Sequence, residues 1–360
     1  MPSSPDPKLI ERIGAVAGKV PGVALVVVGA EGVRARGSTG YADLLSHAPM
    51  TTGVVAPWFS MTKIATATLA LRLAEAGTIE LDEPVAGLVP KMTFLQPSEW
   101  ARKITPRHLL QHSAGLRNPL PVRWVHPAAE PPPDPEAFLT RLLSTHRKLR
   151  WEPGARTSYS NLGALILGAA LTARTGRAFD ALMRTEILEP LGMTATGFGD
   201  ELKGAPRATG YHPRGNPLRY FLPGWVRGDP VGRWLTLEPF ALDGAPYGGL
   251  VGTADDAARF LQMHLSNGGF QGRVILGPEV ASDMRRISLQ GKRYDLGLGW
   301  FRPASRRDST PGFVEHLGGG AGFFNCMRAY PTKGVGAIVV GNATRYDVDS
   351  VAALALDYAG

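Results

Sequence analysis

A serine followed three residues later by a lysine, in Ser60-Met61-Thr62-Lys63, offers a nucleophile and a candidate base. At that spacing on a helix both side chains lie on one face, a few ångströms apart. A serine hydroxyl attacks a carbonyl only when a base stands beside it. A lysine set among Ala, Ile and Leu gives up its proton more readily, because burial disfavours the ammonium. Tyr159-Ser160-Asn161 adds a phenol and an amide. A nearby ammonium would lower the phenol pKa from its usual value of about 10 and make phenolate a second candidate base. Asn161 could hold both the lysine and a substrate carbonyl. His316-Leu317-Gly318-Gly319-Gly320 adds an imidazole and open glycine backbone, so the N–H groups of Gly319 and Ser60 can form an oxyanion hole. The sum is the equipment for acyl transfer. Each motif alone has an ordinary explanation: a chance Ser-x-x-Lys, a helix cap at Asn161 beside a packing tyrosine, a glycine-rich turn with a satisfied histidine. The inference rests on the set.

The surrounding pattern predicts what positions these groups. Residues 8–19 are amphipathic and predict an opening helix. Val23–Val28 and Gly32–Tyr41 predict a hairpin across Gly29-Ala30-Glu31. A helix is expected to run from Ser60 to a C-cap at Gly77, with its N-terminal N–H groups under the nucleophile. Helices are also expected over Pro106–His112, Pro135–His146, Asn161–Thr175 and Phe179–Ile187, separated by Pro-rich loops. Thr253-Ala254-Asp255-Asp256 predicts a capping box opening a helix to Leu265. Strands follow over Leu296–Arg302, Gly312–His316, Phe323–Tyr330 and Val335–Val340, and a last helix over Asp347–Tyr358. The predicted fold is α/β: one antiparallel sheet flanked by N- and C-terminal helices, with a mostly helical inserted domain. The boundaries are 1–80 plus 245–360 for the discontinuous α/β domain and 81–244 for the insertion. Loops around 120–135 and 212–235, carrying Trp124, Tyr211, Tyr220, Phe221, Trp225 and Trp234, are expected to wall the pocket.

With 360 residues, 44% of them hydrophobic and 19% charged, the composition is that of an ordinary globular protein. The formal charge is +8, yet the basic residues are scattered and lack interleaved aromatics, which argues against nucleic-acid binding. The one cysteine, Cys326, sits in an apolar run and reads as an inert buried thiol. No apolar run approaches the length of a membrane span and the N-terminus shows no export signal, so a cytoplasmic location without membrane partners is expected. Gly-x-Ser-x-Gly, His-Glu-x-x-His, cysteine clusters and phosphate-binding loops are absent, and no metal or cofactor is implied. Asp82-Glu83 and Asp255-Asp256 read as caps, and His112 as structural.

The order Ser60-x-x-Lys63, Tyr159-x-Asn161, His316-x-Gly318 resembles the serine beta-lactamase-like hydrolases. It is most similar to the class C-like branch, which includes carboxylesterases, D-stereospecific peptidases and penicillin-binding relatives. Connecting segments match too: Leu109–Leu116, Glu189–Met193 and Gly248–Thr253. The resemblance runs from about residue 22 to 342. It implies Ser60 as the acylated nucleophile, Lys63 and Tyr159 sharing proton transfer, and Asn161 positioning lysine and substrate. His316 then stands where beta-lactamases carry a lysine. Largely neutral near pH 7, a histidine would hold a substrate carboxylate less firmly. The expected activity is therefore hydrolysis of small esters by a serine carboxylesterase. The alternatives are an amide hydrolase, as a D-aminopeptidase or weak beta-lactamase, and a non-catalytic binding protein on the same fold.

Overall fold

Every position of Val23–Val28 is apolar, so a strand built from it must be covered on both faces. The computed structural model, which describes residues 4–202 and 204–359, covers it so. Gly22–Gly29 is hydrogen-bonded to Gly32–Asp43 on one side and Val335–Gly341 on the other. These belong to an eight-stranded antiparallel sheet. Its order is Tyr294–Leu296, Phe301–Pro303, Val314–Gly320, Phe323–Tyr330, Val335–Gly341, Gly22–Gly29, Gly32–Asp43, Ala48–Pro49. Val23, Leu25 and Val27 pack with Leu9, Ile13 and Val351 from the terminal helices Pro7–Val16 and Val348–Ala353. Ala24, Val26 and Val28 face the other way, into a cluster with Phe260 and Leu261 of helix Ala254–Leu265. That second cluster continues without a break to Leu143 and Leu162, so residues 81–244 share a core with the rest.

The helix after the nucleophile spans Thr62–Glu75 and stops just before Gly77, which has a positive φ of 68°. Thr62 through Leu71 are all buried, making this the central helix of the molecule. Its polar side chains are tied to the chain at 246–250: Thr62 Oγ1 accepts from the Leu250 N–H and Thr66 Oγ1 donates to the Pro246 carbonyl.

Several elements differ from expectation. The opening helix ends at Val16, because Gly18 turns left-handed at φ 71°. The run Leu296–Arg302 is two strands, Tyr294–Leu296 and Phe301–Pro303, divided where Gly299 takes φ 86°. The segment 221–235 is not one long loop: Arg227–Val231 and Trp234–Leu237 form a hairpin that extends Gly210–Pro213. Residues 81–244 thus carry strands as well as helices. Thr253 caps its helix, accepting from the Asp256 N–H, but the box does not close. Asp256 turns instead to the Ala195 N–H and the Thr196 hydroxyl.

Candidate active site

Ser60 lies in a single 3-10 turn, Phe59–Met61, that leads into the central helix. The preceding Phe59 has φ 48°, a left-handed backbone that a phenylalanine rarely adopts, so the turn is held under strain from outside. The Trp58 N–H bonds the Leu250 carbonyl at 2.8 Å, and the Phe59 ring packs between Phe240 and Phe323. The third motif presses on the same turn. A Cβ on Gly318 would stand 2.2 Å from the Trp58 carbonyl oxygen, and one on Gly320 would stand 2.5 Å from the Phe59 ring. These two glycines are therefore needed to seat the nucleophile's turn, which adds to the expected need for substrate access.

Lys63 is 5% exposed and points back at Ser60. Its Nζ is 3.1 Å from Ser60 Oγ, 2.8 Å from Asn161 Oδ1 and 2.7 Å from the Tyr247 carbonyl oxygen. All three partners are uncharged. Burial holds its pKa well below that of an ordinary lysine. The hydrogen-bond count fits a neutral amine. Two N–H groups serve the two carbonyl oxygens, which only accept, and the lone pair is left to accept the Ser60 hydroxyl proton.

Tyr159 closes the other side of the nucleophile. Lys63 Nζ is 4.8 Å from its ring centre, and its phenol hydrogen-bonds Ser60. The expectation that Lys63 would pull the phenol pKa down fails. Burial raises it instead, and the Ser60 hydrogen bond offsets this only in part. The reason is shared: one enclosure disfavours both charged forms, and a neutral lysine has no charge to offer a phenolate.

The loop bearing Tyr159 is fixed from beneath. Ser160 is the helix cap, its Oγ accepting from the Gly163 N–H, so Asn161 is free to face Lys63. The Asn161 N–H donates to Asn118 Oδ1 at 2.9 Å. His112 Nδ1 accepts from the Ser160 N–H at 3.3 Å, and its ring lies 4.6 Å from that of Tyr159. Burial is the chief cause that lowers the His112 pKa to about 3.

His316 is 1% exposed, with its ring 6.0 Å from Tyr159 and 4.6 Å from Phe301. Its Nδ1 is 2.9 Å from the Leu317 carbonyl oxygen and so must carry the proton. Nε2 is then a buried lone pair, and it has no partner among the described residues. Burial above all drives the His316 pKa well below the usual value. These groups open on a cleft of about 750 Å³ lined by Ser60, Asn118, Tyr159, Tyr294, Phe301 and His316, among others.

A model of the beta-lactamase family matches residues 8–359. The chain belongs to the beta-lactamase family. It is a serine hydrolase of that fold. It is 28% identical over 289 residues to the D-alanyl-D-alanine-carboxypeptidase/endopeptidase AmpH of Escherichia coli strain K12, covering 78% of this chain and 69% of that protein. It is also 28% identical over 312 residues to esterase EstB of Burkholderia gladioli, covering 79% and 75% respectively. An octameric penicillin-binding protein homologue from Pyrococcus abyssi superposes with a TM-score of 0.79 at 24% identity, over 97% of this chain and 76% of that one.

In this member of the beta-lactamase family, the three motifs meet as their order implied, but the expected aromatic wall does not form. Trp124 packs edge-on against Tyr247 and Phe138, behind the Lys63 layer. Tyr211 is buried with its phenol on the Leu44 N–H, and Trp234 packs beside it. Tyr220, Phe221 and Trp225 are on the outer surface. They lie on two short turns, Pro217–Phe221 and Gly224–Val226, that join the hairpin to Gly210–Pro213, which is hydrogen-bonded to Gly322 and Asn342 at the rim of the main sheet. Among the described residues Tyr294 and Phe301 join Tyr159 as the aromatics of the cleft. Sequence reasoning also passed over Asn118, the Tyr247 carbonyl and the supporting part of His112. Leu109–Leu116 and Gly248–Thr253, already noted as family-like connections, were the available signals for His112 and for the segment beside Tyr247.

Proposed function

We propose that this protein is a serine carboxylesterase working through an acyl-enzyme on Ser60. The observation that carries the reading is His316. Where a beta-lactamase would present a lysine ammonium, this cleft is lined by an enclosed neutral imidazole whose Nε2 lone pair has no partner among the described residues. A lone pair repels a carboxylate placed beside the reacting carbonyl and has no quarrel with a simple ester. The similarity to an esterase of Burkholderia gladioli supports the same choice.

The chemistry needs only groups already in contact. Ser60 Oγ attacks the ester carbonyl carbon as its proton passes to the Lys63 lone pair. The carbonyl oxygen, now negative, rests on the N–H groups of Ser60 and Gly319. Collapse breaks the bond to the alkoxy oxygen, which leaves as alcohol with a proton returned from Lys63 through the Tyr159 phenol. Water then attacks the acyl-Ser60 carbonyl, gives its proton to Lys63, and frees the acid and Ser60. Lys63 is the principal base in this scheme and Tyr159 the relay, because burial lowers the lysine pKa and raises that of the tyrosine.

A series of p-nitrophenyl esters run beside nitrocefin, with wild type and Ser60→Ala, tests the proposal. The expected result is ester turnover that vanishes in the variant and little nitrocefin turnover. The similarity to a D-alanyl-D-alanine carboxypeptidase favours a second reading, amide hydrolysis. Strong nitrocefin turnover lost in Ser60→Ala would select it. Ester turnover that survives Ser60→Ala would remove Ser60 as the nucleophile.

A further inference from the structure

The cleft carries a second chemical signature, set away from the nucleophile. Among the described residues no Asp or Glu lines it, whereas Lys292 and Arg293, adjacent in the chain and both exposed, do. The Arg293 guanidinium stacks 5.3 Å from the Tyr294 ring centre, and that ring is 6.5 Å from Tyr159. One aromatic layer therefore separates the cations from the reacting groups.

The segment that presents them is pinned. Its one acid, Asp295, is fully buried and turned inward. Asp295 accepts from Arg307 Nε at 2.8 Å, Arg302 Nη2 at 3.2 Å and the Gly291 N–H at 3.3 Å. The Arg293 carbonyl is itself held by the Ala304 N–H at 3.0 Å. Gly291 lies so close to the catalytic loop that a Cβ there would stand 2.4 Å from Thr157 Oγ1. The loop thus brings two cations to the mouth of the cleft while its own carboxylate neutralises arginines elsewhere.

We propose that Lys292 and Arg293 form an anion subsite, and that the preferred substrates are esters bearing a carboxylate several bonds from the scissile carbonyl. This rests on the esterase reading for the word ester, but the subsite itself does not. Near the carbonyl, His316 disfavours an anion. At the mouth, two cations in contact with an aromatic surface favour one, with an apolar spacer lying along Tyr294 and Phe301 between them.

The test compares esters that differ by one charge. On the acyl side, p-nitrophenyl glutarate, a monoanion, is paired with p-nitrophenyl pentanoate, which has a methyl where the carboxylate stands. On the alcohol side, 3-carboxyphenyl pentanoate is paired with phenyl pentanoate. The expected result is a higher kcat/KM for the charged member of one pair, which identifies the arm that runs past Tyr294. The charged-to-neutral ratio should fall about tenfold in Lys292→Gln/Arg293→Gln, ~1.4 kcal/mol, and fall in wild type when salt is raised to about 0.5 M, where screening acts within a few ångströms. A charged-to-neutral ratio that neither the variant nor salt alters would overturn the subsite. Binding of p-nitrophenyl glutarate to Ser60→Ala, followed by calorimetry, reads the subsite without turnover. If wild type hydrolyses no ester, yet this binding is seen and is lost on adding the two Gln substitutions, the subsite stands and the esterase reading falls. If it binds no better than the pentanoate, the subsite falls.

Discussion

Among the described residues two lysine or arginine side chains are buried, Lys63 and Arg328, and the strand Val314–Gly320 serves both. On one side, Lys63 meets only neutral acceptors. On the other, Arg328 is bound to Glu315 at 2.6 and 2.9 Å and to Asp349 at 2.5 Å, with its guanidinium over the Phe313 ring. The consequences are opposite. The Lys63 pKa falls well below the ordinary value, and that of Arg328 rises. Burial penalises both charges, but only Arg328 has anions to offset the penalty. A paired guanidinium is a fixed charge that orders its surroundings. An unpaired amine is a proton acceptor waiting for a donor. The difference identifies which buried basic side chain is structural and which is chemical.

The comparison can be broken most directly at Ser60 and Lys63. Ser60→Ala should lower kcat by about 10⁴-fold and Lys63→Met by about 10³-fold. Lys63→Met should nevertheless unfold at urea concentrations no lower than wild type, since it removes a costly buried amine. A large loss of stability would show Lys63 to be charged and structural after all. Arg328→Met should do the reverse. It leaves Glu315 buried without a partner, and urea titration should register about 3–5 kcal/mol of destabilisation. The fraction that stays folded should keep its turnover, and adding Glu315→Leu should restore most of the stability. Near-normal stability in the single variant would erase the contrast.

Smaller effects sharpen the picture. Tyr159→Phe should reduce kcat by about 10²-fold, less than Lys63→Met, if the phenol relays rather than accepts the first proton. A loss exceeding that of Lys63→Met would reverse the two roles. The last effect concerns pH. His112 and His264 are buried neutral with pKa values lowered to about 3, chiefly by burial. Their unfolded values are about 6.5, so between those limits the unfolded chain binds more protons. Stability is therefore present above about pH 6.5 and is lost as pH falls toward 3, by up to ~1.4 kcal/mol per pH unit for each histidine. His264→Gln should reduce the slope of unfolding free energy against pH by about one proton over this range, read from urea melts at several pH values. An unchanged slope would mean that His264 is protonated in the native state.

The fold was largely readable from the chain because its strongest signals are local. Val23–Val28 demanded two covered faces, Gly77 stopped a helix, and Asn161–Thr175 was bounded correctly at both ends. The motif residues were readable because chemistry restricts residue type at fixed spacing. What escaped was decided by packing between distant segments. Nothing in Trp124 or Tyr220 says which way its loop turns, since that follows from where Gly210–Pro213 docks on the main sheet. The phenol pKa escaped for a related reason: sequence shows that a lysine is near, but only enclosure shows that both groups lose water together. Ser160, not Asn161, capping the helix was settled by a contact with Lys63 a hundred residues away in the chain.

The alternation of Val314–Gly320 has a further consequence for how such a protein can vary. Glu315 and His316 are neighbours in sequence and occupy opposite faces, one in the ion-pair layer and one in the cleft. Inserting or deleting one residue within this strand would exchange the two faces at a stroke. A carboxylate would be delivered to the nucleophile and an imidazole to Arg328. A single-residue length change is therefore costly here, whereas the exposed side chains of Lys292 and Arg293 can be exchanged without disturbing a packed face. A change of substrate preference on this scaffold has its freest route through those two side chains and its narrowest through the strand Val314–Gly320.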